Sequence, residues 1–192
     1  DEVTIDNTFT ETYSVTSKYL SKARWDHENN RPVETIGFTI AGGGAIEMIT
    51  PFEVHNATLS SDDPAKVESV HFYVTTSLSS LASIDITIFL YQWDDADGDG
   101  AFASEEVELV AFGIQEFADD ETSAEAWVNA PIEGLITGTP GYEIPEGEVN
   151  LIVGTRYEGP DLVFFGFDQG VVLDQYINGV HLPNGTYTDA KL

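Results

Sequence analysis

The feature that most constrains this chain is a period of two that returns along its length. Ile84, Ile86, Ile88 and Leu90 alternate with Asp85, Thr87, Phe89 and Tyr91. Successive side chains of an extended chain point to opposite faces, so this pattern gathers the branched apolar groups on one face of a strand. Val70, Phe72 and Val74 repeat the alternation, as do Val149, Leu151 and Val153. Leu162 to Phe167 is a short apolar aromatic run of the kind a buried strand carries. Ile36 to Ile40, Ile46 to Ile49, His55 to Leu59 and Val171 to Leu173 are further candidates. Turn residues punctuate the runs: Gly42-Gly43-Gly44, Asp62-Asp63-Pro64, Gly138-Thr139-Pro140-Gly141, Pro145-Glu146-Gly147, Gly159-Pro160 and Pro183-Asn184-Gly185. Short strands at this spacing predict an all-β fold, a single antiparallel β-sandwich of jelly-roll type spanning residues 1–192.

Two segments leave alternatives open. Val107, Val110, Ala111 and Ile114 have the spacing of one or two helical turns, whereas Val107, Leu109 and then Phe112, Ile114 suit a strand. Residues 115–126 form the most polar stretch and predict a surface loop. The first twenty residues mix Thr and Ser with Val3, Ile5, Phe9, Tyr13 and Val15. They suit an edge strand of the same sandwich, or a strand donated to a neighbouring subunit.

The strongest chemical signal is Asp95-Ala96-Asp97-Gly98-Asp99-Gly100, followed by Glu106. It fills every specified position of a D-x-D-x-D-G-x5-E calcium loop. Alternate carboxylates can converge on one cation, and Gly100 permits the sharp turn. Asp95, Asp97 and Asp99 are therefore expected as side-chain ligands, Ala101 as a carbonyl ligand and Glu106 as a bidentate ligand of Ca²⁺. Glu105 or Asp94 substitutes if a β setting bends the loop differently. Phe102 stands where such loops anchor themselves to the core. The strand Ile84 to Trp93 enters the loop directly, which predicts an EF-hand-type loop between two β elements rather than between helices. Trp93 is expected to wedge the loop against the sheet.

Composition narrows the function. With 42% hydrophobic and 11% aromatic residues the chain can bury a core, which excludes disorder as its general state. The 34 acids against 7 bases give a formal charge of −27. That field repels nucleic acid and anionic membranes, attracts divalent cations, and suits high-salt surroundings. A solvated acidic surface serving solubility accounts for the same charge. Cysteine is absent, so disulfides and thiol catalysis are excluded. No apolar run reaches membrane-spanning length. The opening Asp1-Glu2-Val3 carries neither an initiator Met nor a signal peptide, as expected of a mature exported chain or an excised domain.

Other constellations carry less. His27, His55, His71 and His181 lack the spacing of a zinc site, and His71 sits in a strand pattern. No G-x-S-x-G elbow or nucleophile–base signature occurs, and paired acids are unavoidable among so many, so no enzyme activity is expected. Trp127 opens an apparent strand. Trp25 lies in the polar segment Arg24 to Arg31, a mixture that sugar sites use and that ordinary loops share. Asn56-Ala57-Thr58 and Asn184-Gly185-Thr186 match the glycosylation sequon.

The segment Tyr91 to Gly100, followed by Ser104-Glu105-Glu106-Val107-Glu108, resembles a loop in calcium-binding β-sandwich domains of secreted Bacteroidota proteins. In those domains a strand ends in an aromatic pair, a DxDxDG loop follows, and a Glu-rich turn leads to the next strand. Ile144 to Val153 is also similar to them, and the resemblance covers about residues 33–170. Such domains sit in exported or cell-surface proteins carried by the type IX secretion route. The resemblance implies an extracellular sandwich stabilised by Ca²⁺. It leads to the expectation of a secreted, noncatalytic cell-surface structural or adhesive subunit that contacts copies of itself or neighbouring domains. Self-assembly into a filament would use the N-terminal strand. The alternative expectation is a carbohydrate-binding module with a glycan partner. Neither reading involves nucleic acid or membrane insertion.

Overall fold

The alternating segments become strands. The computed structural model describes residues 25–26, 28–38, 45–56, 65–96, 105–167, 179–181 and 187–189. Its strands in chain order are β1 (Trp25–Asp26), β2 (Arg31–Pro32), β3 (Glu34–Phe38), β4 (Ile46–Asn56), β5 (Lys66–Val67), β6 (Ser69–Thr76), β7 (Asp85–Trp93) and β8 (Val107–Glu116). They continue as β9 (Glu125–Pro131), β10 (Glu133–Gly134), β11 (Tyr142–Glu143), β12 (Gly147–Tyr157), β13 (Val163–Phe167), β14 (Gly179–His181) and β15 (Tyr187–Asp189). Among the described residues there is no helix. The fold is an all-β antiparallel sandwich. One sheet has the order β10-β8-β7-β12-β4-β14-β15 and the other β3-β13-β6-β9. Two small ribbons, β1-β2 and β11-β5, and an isolated parallel bridge between Glu133 and Gly141 add to this pairing.

The core lies between the two large sheets. From the first come Ile86, Ile88, Leu90, Ala111, Leu151 and Met48, and from the second Val70, Val74, Val128, Val163 and Phe165. Ile86, Ile88, Leu90, Leu151, Val70 and Val74 are positions that the period of two selects, and Ile86, Ile88 and Val74 are wholly shielded from solvent. Each fully buried branched side chain contributes roughly 1.5–3 kcal/mol relative to exposure, so this layer supplies the main driving force.

The larger sheet also buries part of its outer face. Ile49, Trp93 and Ile152 form a second apolar cluster, joined by Tyr91 and Val107. The two central strands β4 and β12 therefore carry apolar residues at successive positions rather than strictly alternate ones. Ile46–Ile49 and His55, expected in separate strands, belong to the single long β4, of which Pro51 stands opposite Ile152. Proline lacks the ladder donor, so it needs a position where none is required. β14 pairs with β4 only at Glu47 to Ile49, so this described neighbour stops short of Pro51.

Residues 107–116 are strand, not helix, and a bulge explains their mixed signal. Leu90 pairs with Ala111, but Tyr91 pairs with Leu109, leaving Val110 as the extra residue of β8. The bulge turns Val107 and Leu109 to the same face as Phe112 and Ile114 despite their change of parity. The helical spacing of Val107, Val110, Ala111 and Ile114 is the by-product of that one-residue slip. The polar stretch expected as a loop over 115–126 is shorter: β8 runs to Glu116 and β9 begins at Glu125. Residues 1–20, Gly42 to Gly44, Asp62 to Pro64, Val171 to Leu173 and the sequon at Asn184 lie outside the described residues.

Candidate metal centre

The predicted calcium loop joins β7 to β8, so its two ends are set by a strand pair. Trp93 pairs with Val107 at the end of the ladder. One step beyond, Asp94 N–H donates to the Glu106 carbonyl at 2.9 Å. The backbone thus brings Asp95, the first predicted ligand, and Glu106, the last, to the neck of the loop. Ala96 N–H donates to Asp94 O at 2.8 Å and tightens the entry turn.

The Glu106 side chain folds back over this neck. Its Oε1 accepts from Ala96 N–H at 3.1 Å, and its Oε2 accepts from the Trp93 indole Nε1–H at 3.4 Å. Trp93 is 2% exposed, and a buried indole N–H requires an acceptor. Asp95 Oδ1 is likewise shut off from solvent. The wedge expected of Trp93 is present: the ring packs in the outer-face cluster with Ile49 and Ile152 while its N–H reaches the carboxylate.

Asp97, Asp99 and Ala101 lie outside the described residues, as does Phe102. Among the described residues, no three His, Asp or Glu side chains gather as a metal cage. The donors at the neck are nevertheless hard carboxylate oxygens, the chemistry that Ca²⁺ takes. Of the five predicted ligands the described residues include two, Asp95 and Glu106, and the Glu106 carboxylate is held by two donors.

Three features were not legible as sites in the sequence. Within the polar segment around Trp25, the two-residue strands β1 and β2 pair as a hairpin, and its turn, of which Glu28 to Asn30 are described, is held by Asp26. Asp26 Oδ1 accepts from Glu28 N–H at 3.0 Å, and Asp26 Oδ2 accepts from Asn29 Nδ2–H at 2.7 Å. The Asn29 side chain is the main cause that holds the Asp26 carboxyl below its usual range. Asn30 takes the left-handed conformation, with φ of 53°, which asparagine tolerates in turns. The hairpin docks on the outer face of the smaller sheet, where Trp127 Nε1–H donates to Asn30 O at 2.7 Å.

Beside that contact, Tyr73 meets Trp127 edge to face at 5.4 Å between ring centroids. Tyr73 O–H donates to Glu125 Oε2. Burial, and then the Glu125 carboxylate, push the Tyr73 phenol up to about 12. Register alone places Glu125 next to Thr75 and Trp127 opposite Tyr73, so the pair could not be read along the chain.

The third feature is an open polar groove lined by Ser83, Asp85, Thr87, Arg156, Tyr157 and Asp161. Arg156 is the one Lys or Arg between Lys66 and Lys191. Its guanidinium pairs with Glu158 and lies 5.9 Å from the centroid of the Phe89 ring. Burial raises the Tyr157 phenol, whose O–H donates to Asp161 Oδ2 at 3.4 Å. The isolation of Arg156 in an acidic chain was the one sequence signal that could have pointed here.

No protein-family model, curated protein or solved structure matches this chain.

Proposed function

We propose that the chain is a noncatalytic extracellular structural or adhesive subunit whose β7–β8 connection is clamped by Ca²⁺. The observation that carries this reading is the neck of the loop. A ladder end holds Asp95 and Glu106 together, and the Glu106 carboxylate is fixed at both oxygens before any ion is considered. Asp97, Asp99 and the Ala101 carbonyl would complete the shell in sequence order. The ion would neutralise a run of acids that has no Lys or Arg nearby in sequence. A rigid strand pair on both sides supports a stabilising clip rather than a switch that opens helices.

The affinity of extracellular calcium modules is on the order of 10⁻⁴–10⁻³ M. At about 10 mM Ca²⁺ such a site stabilises the native state by roughly 1.4–2.7 kcal/mol. For a chain of this size that raises Tm by about 3–10 °C. Differential scanning calorimetry with CaCl₂ and with EGTA tests it, and Asp97→Ala should abolish the difference. An unfolding transition indifferent to calcium would remove the structural-ion reading.

Assembly is the second half of the proposal. The Thr-rich first twenty residues supply a strand that can add to the sheet edge of another copy. Deleting residues 1–20 should leave a soluble monomer where the intact chain forms fibres in calcium. Electron microscopy and size-exclusion chromatography showing only monomer for the intact chain would exclude this form of assembly.

The groove around Arg156 favours a second reading, a sugar-binding module. Carboxylates, hydroxyls and one guanidinium in a shared recess can hydrogen-bond a polyhydroxylated ligand at several points. A glycan array with no hits, for wild type at millimolar calcium, would rule it out.

A further inference from the structure

We infer that Trp93 is the positioning residue of this metal centre, holding the Glu106 carboxylate at the loop neck and linking its occupancy to the apolar cluster of Ile49 and Ile152. The inference rests on the calcium reading above and assigns a role to a residue outside the D-x-D-x-D-G-x5-E loop itself. Three observations support it.

First, the Trp93 ring has little freedom. It is 2% exposed and packs with Ile49 and Ile152, which are 1% and 0% exposed. Its N–H therefore points in a direction set by the sheet, and the carboxylate must come to it. Second, the two donors to Glu106 reach different oxygens. Trp93 Nε1–H meets Oε2 at 3.4 Å and Ala96 N–H meets Oε1 at 3.1 Å. A carboxylate oxygen has two lone pairs, so each keeps one for a cation after accepting these bonds. Fixing both oxygens removes rotamer freedom that a bidentate ligand would otherwise lose on binding. Third, the Val110 bulge sets the alignment. Without it the ladder would continue by pairing Tyr91 with Val110 and Trp93 with Glu108, taking Glu106 one step past the neck. The bulge and the indole thus serve one end: they bring the last ligand of the loop to the buried ring.

The same geometry makes the coupling reciprocal. An ion that draws on Glu106 changes the acceptor strength felt by the indole, and a shift of the indole is felt by the cluster around it. Ion binding and packing of the outer face are then linked through the indole hydrogen bond to Glu106.

The test combines calorimetry with indole NMR on the full chain, using Ca²⁺ alone as the probe. Trp93→Phe keeps an aromatic ring in the cluster and removes the donor, and it should weaken calcium binding about tenfold. Ile49→Val disturbs the same packing without touching the donor, and it should lower Tm while weakening calcium binding much less than Trp93→Phe does. In wild type, the Trp93 indole N–H resonance, assigned by elimination with Trp25→Phe and Trp127→Phe, should shift along the same isotherm as the heat. Wild type that binds calcium with a stationary Trp93 resonance overturns the inference, whether or not Trp93→Phe folds. So does Trp93→Phe with unchanged affinity, or Ile49→Val weakened as much as Trp93→Phe. Wild type that gives no calcium heat and no calcium-dependent Tm overturns the calcium reading itself, and the inference with it.

Discussion

Tyr73 ties the stability of the smaller sheet to alkaline pH in a way that can be calculated. The phenol is 5% exposed and donates to Glu125, and its folded value lies at about 12 against the ordinary 10.0. Ionising it would place a phenolate in a buried position beside a carboxylate. The sign follows from the raised value. The proton is bound more tightly in the folded chain, so the stabilisation is complete below pH 10 and is lost as pH rises towards 12. With these two values the loss is about 1.4 kcal/mol at pH 11 and about 2.3 kcal/mol at pH 12. Almost none of it has occurred at pH 9. Tyr73→Phe removes the titrating group along with the hydrogen bond, and it should cost about 1–2 kcal/mol at pH 7. Its deficit should then shrink by about 1.3 kcal/mol between pH 9 and pH 11. Urea unfolding followed by circular dichroism at both pH values measures the two gaps. Tyr142 and Tyr157, also raised by burial, titrate alike in both proteins and cancel in the comparison. The wild-type minus Tyr73→Phe difference in phenolate absorbance gives an independent reading and should rise last. Parallel stability curves across this range would refute the buried Tyr73–Glu125 pair as a source of alkaline sensitivity.

Gly113→Ala should destabilise by about 1–3 kcal/mol in urea, because a Cβ there runs into the backbone carbonyl of Pro131, which cannot rotate away. An unchanged urea midpoint would mean that β8 and β9 do not meet as described. Trp127→Phe removes the bond to Asn30 O and should cost about 1 kcal/mol locally. Limited proteolysis within residues 28–30 should then accelerate while the core stays folded, and an unaltered cleavage rate would show that the hairpin docks by other means. Raising NaCl from 0.1 to 1 M shortens the screening length from about 10 to about 3 Å, so a chain of charge −27 should gain Tm. A flat or falling Tm would show that acid–acid repulsion does not limit its stability.

The strands were legible in the sequence because alternation is a local property. A residue two places along returns to the same face whatever the rest of the chain does, so Ile86, Ile88, Leu90, Val70 and Val74 could be assigned to the core without a partner strand. The candidate loop could be marked out for a similar reason: the D-x-D-x-D-G-x5-E spacing is complete within twelve residues. Even the bulge left a trace, in the change of parity between Val107, Leu109 and Phe112, Ile114. Its position was still ambiguous, because the same spacing imitates a helical turn until β7 supplies the register.

Other features depend on pairing between distant segments. That Pro51 sits inside one long strand, that Trp25 belongs to a hairpin lying on Trp127, and that Tyr73 meets Glu125 are matters of register and of sheet stacking. No local period encodes them, since a slip of one residue would exchange the faces while leaving every local preference intact. The candidate metal centre divides the same way. The spacing of the chain puts the candidate oxygens in line, from Asp95 to Glu106. The fold decided that a buried indole would hold the last of them, because a ring immobilised between Ile49 and Ile152 can aim its N–H only where the sheet directs it.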